Sequence, residues 1–312
     1  MVNPLVSICI PAYNAELFLP ATLATVHAQQ FKEWELIVTE DGSKDRTAEI
    51  VQEFAATVPQ RVQYIWHGKN QGLPTTRNTG IDAACAEWIA LLDSDDLWEA
   101  NHLSELMNAA HAGTSAELIH SGSLLFDSDS NRDLGTRAPT REMVTGFPFS
   151  LYEGRYIIQP SSVILKKALW KRVGGFNPTF RYLEDREMWL RCARVGAIFS
   201  YSGRVTCRYR KHSAALSNRA AEMAEASAAV FEQHLDWEIV PASLSSRLCA
   251  ETWASAGRLR QKRDPLMAAA HFRKAYTRKW CLEWQLRAII FGFLGHIRRG
   301  LSNFRGGLNG GF

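Results

Sequence analysis

Three carboxylates fall within four residues at Asp93-Ser94-Asp95-Asp96, directly behind the apolar run Trp88-Ile89-Ala90-Leu91-Leu92. Each close pair of such charges repels by about 1 kcal/mol in water and roughly 4 kcal/mol at an effective dielectric near 20. A hard divalent cation, Mg2+ or Mn2+, removes that penalty. Such ions keep several waters and are held by one or two protein carboxylates together with substrate phosphates. The turn therefore asks for a phosphorylated ligand, although Asp residues ahead of a helix also act as caps and dipole partners. The same two readings apply to Glu184-Asp185, which precede Met188, Trp189, Cys192 and Ala193 at helical spacing. Asp41 closes another apolar stretch, and Arg77 lies within Asn70 to Gly80, a loop feeding a helix. A helix start with a guanidinium suits an anion. The alternative for Arg77 is a surface ion pair.

Positioning these groups requires strands that end at one edge. Leu5 to Ile10, Trp34 to Thr39, Val62 to Trp66 and Trp88 to Leu92 are apolar or β-branched runs stopped by loop residues, as buried strands are. Helices are expected between them. One follows Pro11-Ala12-Tyr13-Asn14, with Asn14 as its cap, and another is capped by Ser43 or Asp45 and carries Ile50, Val51, Phe54 and Val58 on one face. Alternating strands and helices predict an α/β domain with a mostly parallel sheet, whose ligands gather at the carboxyl ends of the strands. Asp41, Asp93 and Asp95 then share an edge. Farther on, Asn101 to His111 reads as a helix and Leu118 to Phe126 as a strand with a polar turn at Asp127 to Asp133. Residues 134–155 show no period. Tyr156 to Lys166 is strand-like, with Gln159-Pro160-Ser161-Ser162 inside it. A strand ending near Cys207 precedes Arg208-Tyr209-Arg210-Lys211-His212.

The ordered set Val6 to Asn14, Glu40-Asp41-Gly42-Ser43-Lys44-Asp45-Arg46-Thr47, Asn70 to Gly80, Asp93-Ser94-Asp95-Asp96, Gly174-Gly175-Phe176-Asn177 and Glu184-Asp185 resembles the motifs of the family 2 glycosyltransferases. The resemblance implies the inverting GT-A fold: a Rossmann-like, nucleotide-sugar-binding mixed sheet flanked by helices. It covers roughly the first 215 residues, with Glu40 where the family usually carries Asp. It implies a nucleotide-diphosphate sugar donor, a saccharide or lipid-linked acceptor, and Mn2+ or Mg2+. By that resemblance Asp41 holds the nucleobase N–H, Tyr13 packs near the base, and Pro11, Arg77, Asp93 and Ser94 belong to the nucleotide site. Asp95 binds the metal with Asp93 beside it, Asp185 is the general base, and Glu184 and Gln159 lie near the sugars. His212 is either a metal or phosphate ligand or a structural histidine.

The organisation expected is a catalytic domain over residues 1–217 and a helical accessory region over residues 218–312. Of the 312 residues, 46% are hydrophobic and 22% charged, the profile of an ordinary globular chain. Six scattered cysteines with no ligand spacing predict free thiols and a cytoplasmic setting. The start of the chain carries no basic region before an apolar run, and no apolar stretch is long enough to cross a bilayer. From Gly257 onward 12 Lys and Arg face 2 Asp and Glu, a net of +10, against 24 and 30 before it. In the last helix Leu286, Ile289, Ile290, Phe293, Leu294, Ile297, Leu301 and Phe304 fall on one face, with Arg287, Arg298, Arg299 and Arg305 off it. That pattern suits peripheral contact with an anionic membrane on the inner face, or packing on the body or a partner. No nucleic-acid module is visible. Rival readings are a sugar-phosphate nucleotidyltransferase, which would need a glycine-rich phosphate loop after the first strand, and a non-catalytic sugar-nucleotide binder.

Overall fold

The computed structural model describes residues 3–113, 115–213 and 216–308, without the side chains of 216 and 300–308. It divides into two compact units, Met1–Ala215 and Leu216–Phe312. In chain order the first unit runs β1 (Val6–Ala12), α1 (Leu19–His27), β2 (Trp34–Glu40), α2 (Thr47–Ala55), β3 (Val62–Trp66), α3 (Leu73–Ala83), β4 (Trp88–Leu91) and β5 (Leu97–Trp98). It continues through α4 (His102–His111), β6 (Leu118–Asp127), β7 (Asp133–Arg137), α5 (Arg141–Thr145), α6 (Phe149–Tyr152), β8 (Val163–Lys166), α7 (Lys167–Val173), α8 (Glu184–Arg194) and β9 (Phe199–Lys211).

The strands form one mixed sheet in the order β3-β2-β1-β4-β8-β6-β9-β5, with β7 paired to β6. β1, β2, β3 and β4 are parallel, so their carboxyl ends share an edge; β8 runs antiparallel to β4 and to β6. All seven residues of β1 and of β2 are buried, which explains why both read as near-continuous apolar runs. One face packs Val6, Ile8, Ile10, Leu36 and Val38 against Leu19, Leu23 and Val26 of α1 and Val51 of α2. Each such aliphatic side chain contributes roughly 1.5–3 kcal/mol on full burial. The other face receives α3, which comes so close at Gly80 that an added Cβ would stand 2.9 Å from Thr39 Oγ1.

Several sequence expectations change. β1 continues through Pro11 and Ala12, opposite Thr39 and Glu40 of β2. Proline is tolerated there because the β4 register has already ended at Cys9. Asn14 is not a helix cap: it has φ 48°, its N–H donates to Ser43 Oγ at 2.8 Å, and α1 begins only at Leu19. Neither Ser43 nor Asp45 is the cap of α2: that position is Arg46, without a side-chain cap bond, and Asp45 accepts from the Thr47 N–H and hydroxyl just ahead of the helix. Only Val163 to Lys166 of the Tyr156–Lys166 stretch is a strand, since Pro160 opens a 3-10 turn over Pro160–Ser162. β9 runs on to Lys211 because Arg208 to Lys211 pair with Leu124 to Asp127 of β6. Residues 134–155 hold β7 and two helices too short to show a period.

The second unit contains α9 (Ala220–Gln233), α10 (Ala242–Arg260), α11 (Pro265–Arg278) and α12 (Leu282–Leu308). Phe272 of α11 packs where Gly257 of α10 leaves room, and Glu225 of α9 accepts from Arg260 and pairs with His271. On α12, Trp284 and Ala288 are buried, Phe291 stacks on Phe272 with ring centroids 6.0 Å apart, and Gly295 meets Leu266. The residues of α12 that pack are therefore not its large apolar stripe. Leu286, Ile289, Ile290, Phe293, Leu294 and Ile297 are exposed, as are Trp280 and Leu282. Leu301, Phe304 and Arg305 lie outside the described side chains. Among the described residues no helix is long and apolar enough to cross a membrane.

Candidate active site

The carboxyl edge of the parallel strands collects most of the acids singled out by the sequence. At the end of β2, Glu40 folds its own turn: its carboxylate accepts the Ser43 N–H and, at 2.9 Å, the Tyr64 hydroxyl. The longer side chain in place of Asp is thus fully engaged locally. Gly42 has φ 79°, and a Cβ there would lie 2.8 Å from the backbone of Lys69 and Asn70. That approach brings the 67–72 loop onto Asp41. Asp41 Oδ1 accepts the Gln71 N–H at 2.8 Å and meets His67 Nδ1 at 2.9 Å, while Oδ2 accepts the Gly72 N–H at 2.8 Å. The far nitrogen of His67 meets Thr79 Oγ1 of α3 at 3.0 Å. Asp41 thereby fixes the loop that launches α3, with Tyr13 exposed beyond the end of β1 and Pro11 buried within it.

α3 carries Arg77 inward. It is 2% exposed, not at the surface; its Nη2 donates to Asp93 Oδ1 at 2.6 Å and its Nη1 to Glu184 Oε1. Its guanidinium also lies over the Phe176 ring, 5.4 Å from the centroid. A single buried cation therefore joins the first acid after β4 to the acid pair at the head of α8. Burial weakens the Arg77 charge, but Asp93 and Glu184 hold it firmly protonated. Burial likewise raises Glu184 to about 7, with Arg77 opposing the shift and Asp185 adding to it. Asp185 is raised for the same first reason, again against the pull of Arg77. Its Oδ1 accepts the Arg186 N–H at 2.7 Å.

The acidic turn is braced from three sides. Asp93 donates its N–H to Ser161 Oγ at 3.0 Å, and Ser161 donates its hydroxyl to Asp96 Oδ2 at 2.5 Å. Asp96 Oδ1 accepts the Arg210 N–H at 2.9 Å, and Arg210 Nε donates to the Asp95 carbonyl at 2.6 Å. Thr22 of α1 donates to the carbonyls of Ser94 and Asp96. Asp96 is buried, which with the charges of Asp95 and Asp93 raises its pKa well above the ordinary aspartate value, against the Ser161 and Arg210 hydrogen bonds. It is a brace. Asp95 keeps its side chain 34% exposed and meets His212 Nε2 at 2.9 Å, with the His212 ring 4.8 Å from that of Phe18.

Among the described residues no group of three or more His, Cys, Asp or Glu is placed to hold a metal. Asp95 and His212 offer a hard oxygen and an imidazole side by side, a donor pair that fits Mn2+ or Mg2+ if phosphate oxygens and water complete the shell. Gln159 is 6% exposed, and neither its amide nitrogen nor its amide oxygen has a partner among the described residues. Sequence reasoning missed His67, Thr22, Ser161 and Asp96 as working parts. Ser161 and Asp96 stood inside motifs already singled out, whereas His67 and Thr22 carry no signal short of the fold.

The family model for glycosyl transferase family 2 matches residues 7–172. An uncharacterized glycosyltransferase of Rickettsia typhi is 27% identical over 225 residues, covering 72% of this chain and 69% of its own length. Among solved structures, Staphylococcus aureus TarS 1–349 in complex with UDP-GlcNAc aligns with a TM-score of 0.62 at 17% identity, covering 92% of this chain and 79% of that one. A mannosyltransferase of Pyrobaculum calidifontis in complex with GDP-Man and Mn2+ aligns with a TM-score of 0.61 at 17% identity, covering 97% and 87%. At these identities the likeness is one of fold: a mixed sheet flanked by helices, as in GT-A enzymes.

Proposed function

The chain belongs to the family 2 glycosyltransferases, and from that membership we propose that it moves a sugar from a nucleotide-diphosphate donor to a hydroxyl of a saccharide or lipid-linked acceptor, with inversion at the anomeric carbon. The setting proposed is the assembly of a surface polysaccharide or glycoconjugate on the cytoplasmic side. Being a glycosyltransferase, it is neither a nucleotidyltransferase nor a passive binder. The observation that carries the mechanistic reading is the buried Arg77 bridge, which holds Asp93 of the acidic turn and Glu184 beside Asp185 on one cation. Nucleotide and leaving group are assigned to the Asp41, Tyr13 and Asp93 side, and the acceptor to the Asp185 side, with Gln159 between them.

In this reading Asp185 takes the proton of the attacking hydroxyl as the new oxygen–carbon bond forms and the bond from the anomeric carbon to the diphosphate oxygen breaks. A single displacement from the face opposite the leaving group inverts the centre. A divalent ion on Asp95 and His212 would supply charge stabilisation for the departing diphosphate, worth several kcal/mol. Arg210, whose guanidinium lies 4.8 Å from both the Phe18 and Phe126 ring centroids, adds positive charge on the same side. A thermal-shift panel of nucleoside diphosphates and nucleotide sugars, with and without Mn2+, tests the assignment. One base should stabilise the protein by a few kcal/mol at saturating ligand, and more with metal. Equal shifts for all bases, or none, would reject it.

The same reading includes peripheral membrane contact through α12. Its exposed apolar stripe, the adjacent Trp280 and the basic Arg287, Arg298 and Arg299 fit an anionic interface. Binding to anionic liposomes should be salt-sensitive and should vanish on truncation at Glu283. Liposome binding that survives the truncation would transfer the property elsewhere in the chain.

A further inference from the structure

In the second unit, the start of α10 and the end of α11 flank a cavity of about 530 Å3, lined by Ser243, Leu244, Ser246, Arg247, Arg278 and Lys279. Its charge is lopsided. Arg247 and Lys279 share Glu251, at 3.6 and 4.0 Å, while Arg278 and the neighbouring Lys274 share Glu232, at 3.1 and 3.7 Å. Four cations thus meet two carboxylates. Each of the four keeps between 42% and 50% of its side chain exposed, and ion pairs so exposed are held weakly. An arriving anion therefore breaks no buried network, and a guanidinium bonded through one nitrogen still has N–H groups to give.

The rim of this cavity leads into the apolar stripe of α12. Lys279 lines it, Trp280 is 73% exposed, and Leu282, which opens α12, is exposed one turn before Leu286, where the stripe begins. Three residues of chain span at most ~11 Å. The headgroup layer on one side of a bilayer is roughly 5–8 Å deep. A helix lying with its stripe at the acyl boundary thus keeps the Lys279 side of the cavity in or beside the headgroup layer, with Trp280 at the level indole side chains favour. An acidic peptide or a free phosphate would answer the cations and leave the stripe in water. An anionic lipid answers both.

We propose that this cavity receives the headgroup of one anionic phospholipid when α12 lies on a bilayer: Arg247, Arg278 and Lys279 take the phosphate, and Ser243 and Ser246 hydrogen-bond the hydroxyls of the head alcohol. The inference rests on the reading of α12 as a membrane-contacting helix and adds selectivity to it. Attraction between a basic surface and an anionic leaflet follows net charge alone, whereas a cavity separates headgroups of equal charge. A glycerol head offers its hydroxyls to the two serines. The serine head of phosphatidylserine would set an ammonium beside three cations.

The test titrates the full chain with phosphatidylcholine vesicles carrying equal mole fractions of either phosphatidylglycerol or phosphatidylserine. The phosphatidylglycerol vesicles should bind roughly threefold or more tightly than the others. Ser243→Ala with Ser246→Ala, which alters no charge, should remove that preference and leave phosphatidylserine binding unchanged. Arg278→Gln with Lys279→Gln should weaken both lipids by roughly tenfold or more and bring their ratio to about one. Both variants should keep the wild-type unfolding temperature, since none of these side chains is buried. Soluble glycerol phosphate, the same chemistry without a bilayer, should not displace the protein from vesicles; displacement would overturn the lipid as the source. Equal affinity of the wild type for the two lipids, or a preference that survives both variants, would overturn the headgroup site while leaving peripheral contact standing. Failure to bind either anionic vesicle would strike the membrane reading of α12 and the site with it.

Discussion

Replacing Asp185 by Asn lowers kcat by roughly 10²–10⁴ and leaves donor binding within about twofold, if this carboxylate is the group that takes the acceptor's proton. The substitution is conservative in shape. The amide oxygen of Asn can still accept the Arg186 N–H that Asp185 accepts at 2.7 Å, and the Arg77–Glu184 contact is untouched. What disappears is the ability to accept a proton. Burial raises the Asp185 pKa, opposed by Arg77 and assisted by Asp93. Only the ionised form acts as a base, so the acid limb of the kcat profile lies above the ordinary aspartate range, and activity falls as pH drops through that raised value. Steady-state kinetics of wild type and Asp185→Asn across pH, with donor affinity measured separately, make the test. A variant that retained a tenth of wild-type turnover, or that lost donor binding in parallel, would move the base elsewhere.

The same Arg77 shows how far sequence alone reaches. The parallel half of the sheet was legible, because β1, β2 and β4 are buried on both faces and so read as uninterrupted apolar runs ending in acids. The parallel order also predicted that Asp41 and Asp93 would share an edge, as their strands do. The partners of Arg77 were not legible: Asp93 and Glu184 lie 16 and 107 positions away, and only the packed fold makes one cation serve both. The helical appendage illustrates a different limit. Periodicity marked the apolar stripe on α12, but it was silent on which side the neighbours occupy. The face that packs is carried by Trp284, Ala288, Phe291 and Gly295, so the stripe of Leu286, Ile289, Ile290, Phe293, Leu294 and Ile297 is left outside. Short elements fail for a third reason. α5 and α6 span five and four residues, less than a period can establish.

Asp95→Asn should abolish the metal-dependent part of both nucleotide binding and turnover, lowering kcat/KM by about 10² or more, the equivalent of roughly 3 kcal/mol of transition-state stabilisation. The expectation follows from what the other acids of the turn are doing. Asp93 faces the Arg77 guanidinium, and Asp96 is buried between the Ser161 hydroxyl and the Arg210 N–H. Asp95 alone in that turn combines partial exposure with an imidazole at 2.9 Å. Chelation of divalent ions from the wild type should reproduce the defect, and adding chelator to Asp95→Asn should then change nothing further. His212→Ala should give a smaller loss, since phosphate oxygens and water can replace one neutral ligand more readily than a carboxylate. The brace gives an internal contrast: Ser161→Ala breaks the link between Asp93 and Asp96 without removing a charge, so it should lower stability by about 1–3 kcal/mol through the unsatisfied buried Asp96 while leaving the response to chelator intact. If instead the chelated wild type works as fast as the metal-supplemented enzyme, the charge of the leaving diphosphate must be met by cationic side chains, with Arg210, set over the Phe18 and Phe126 rings, the first to substitute.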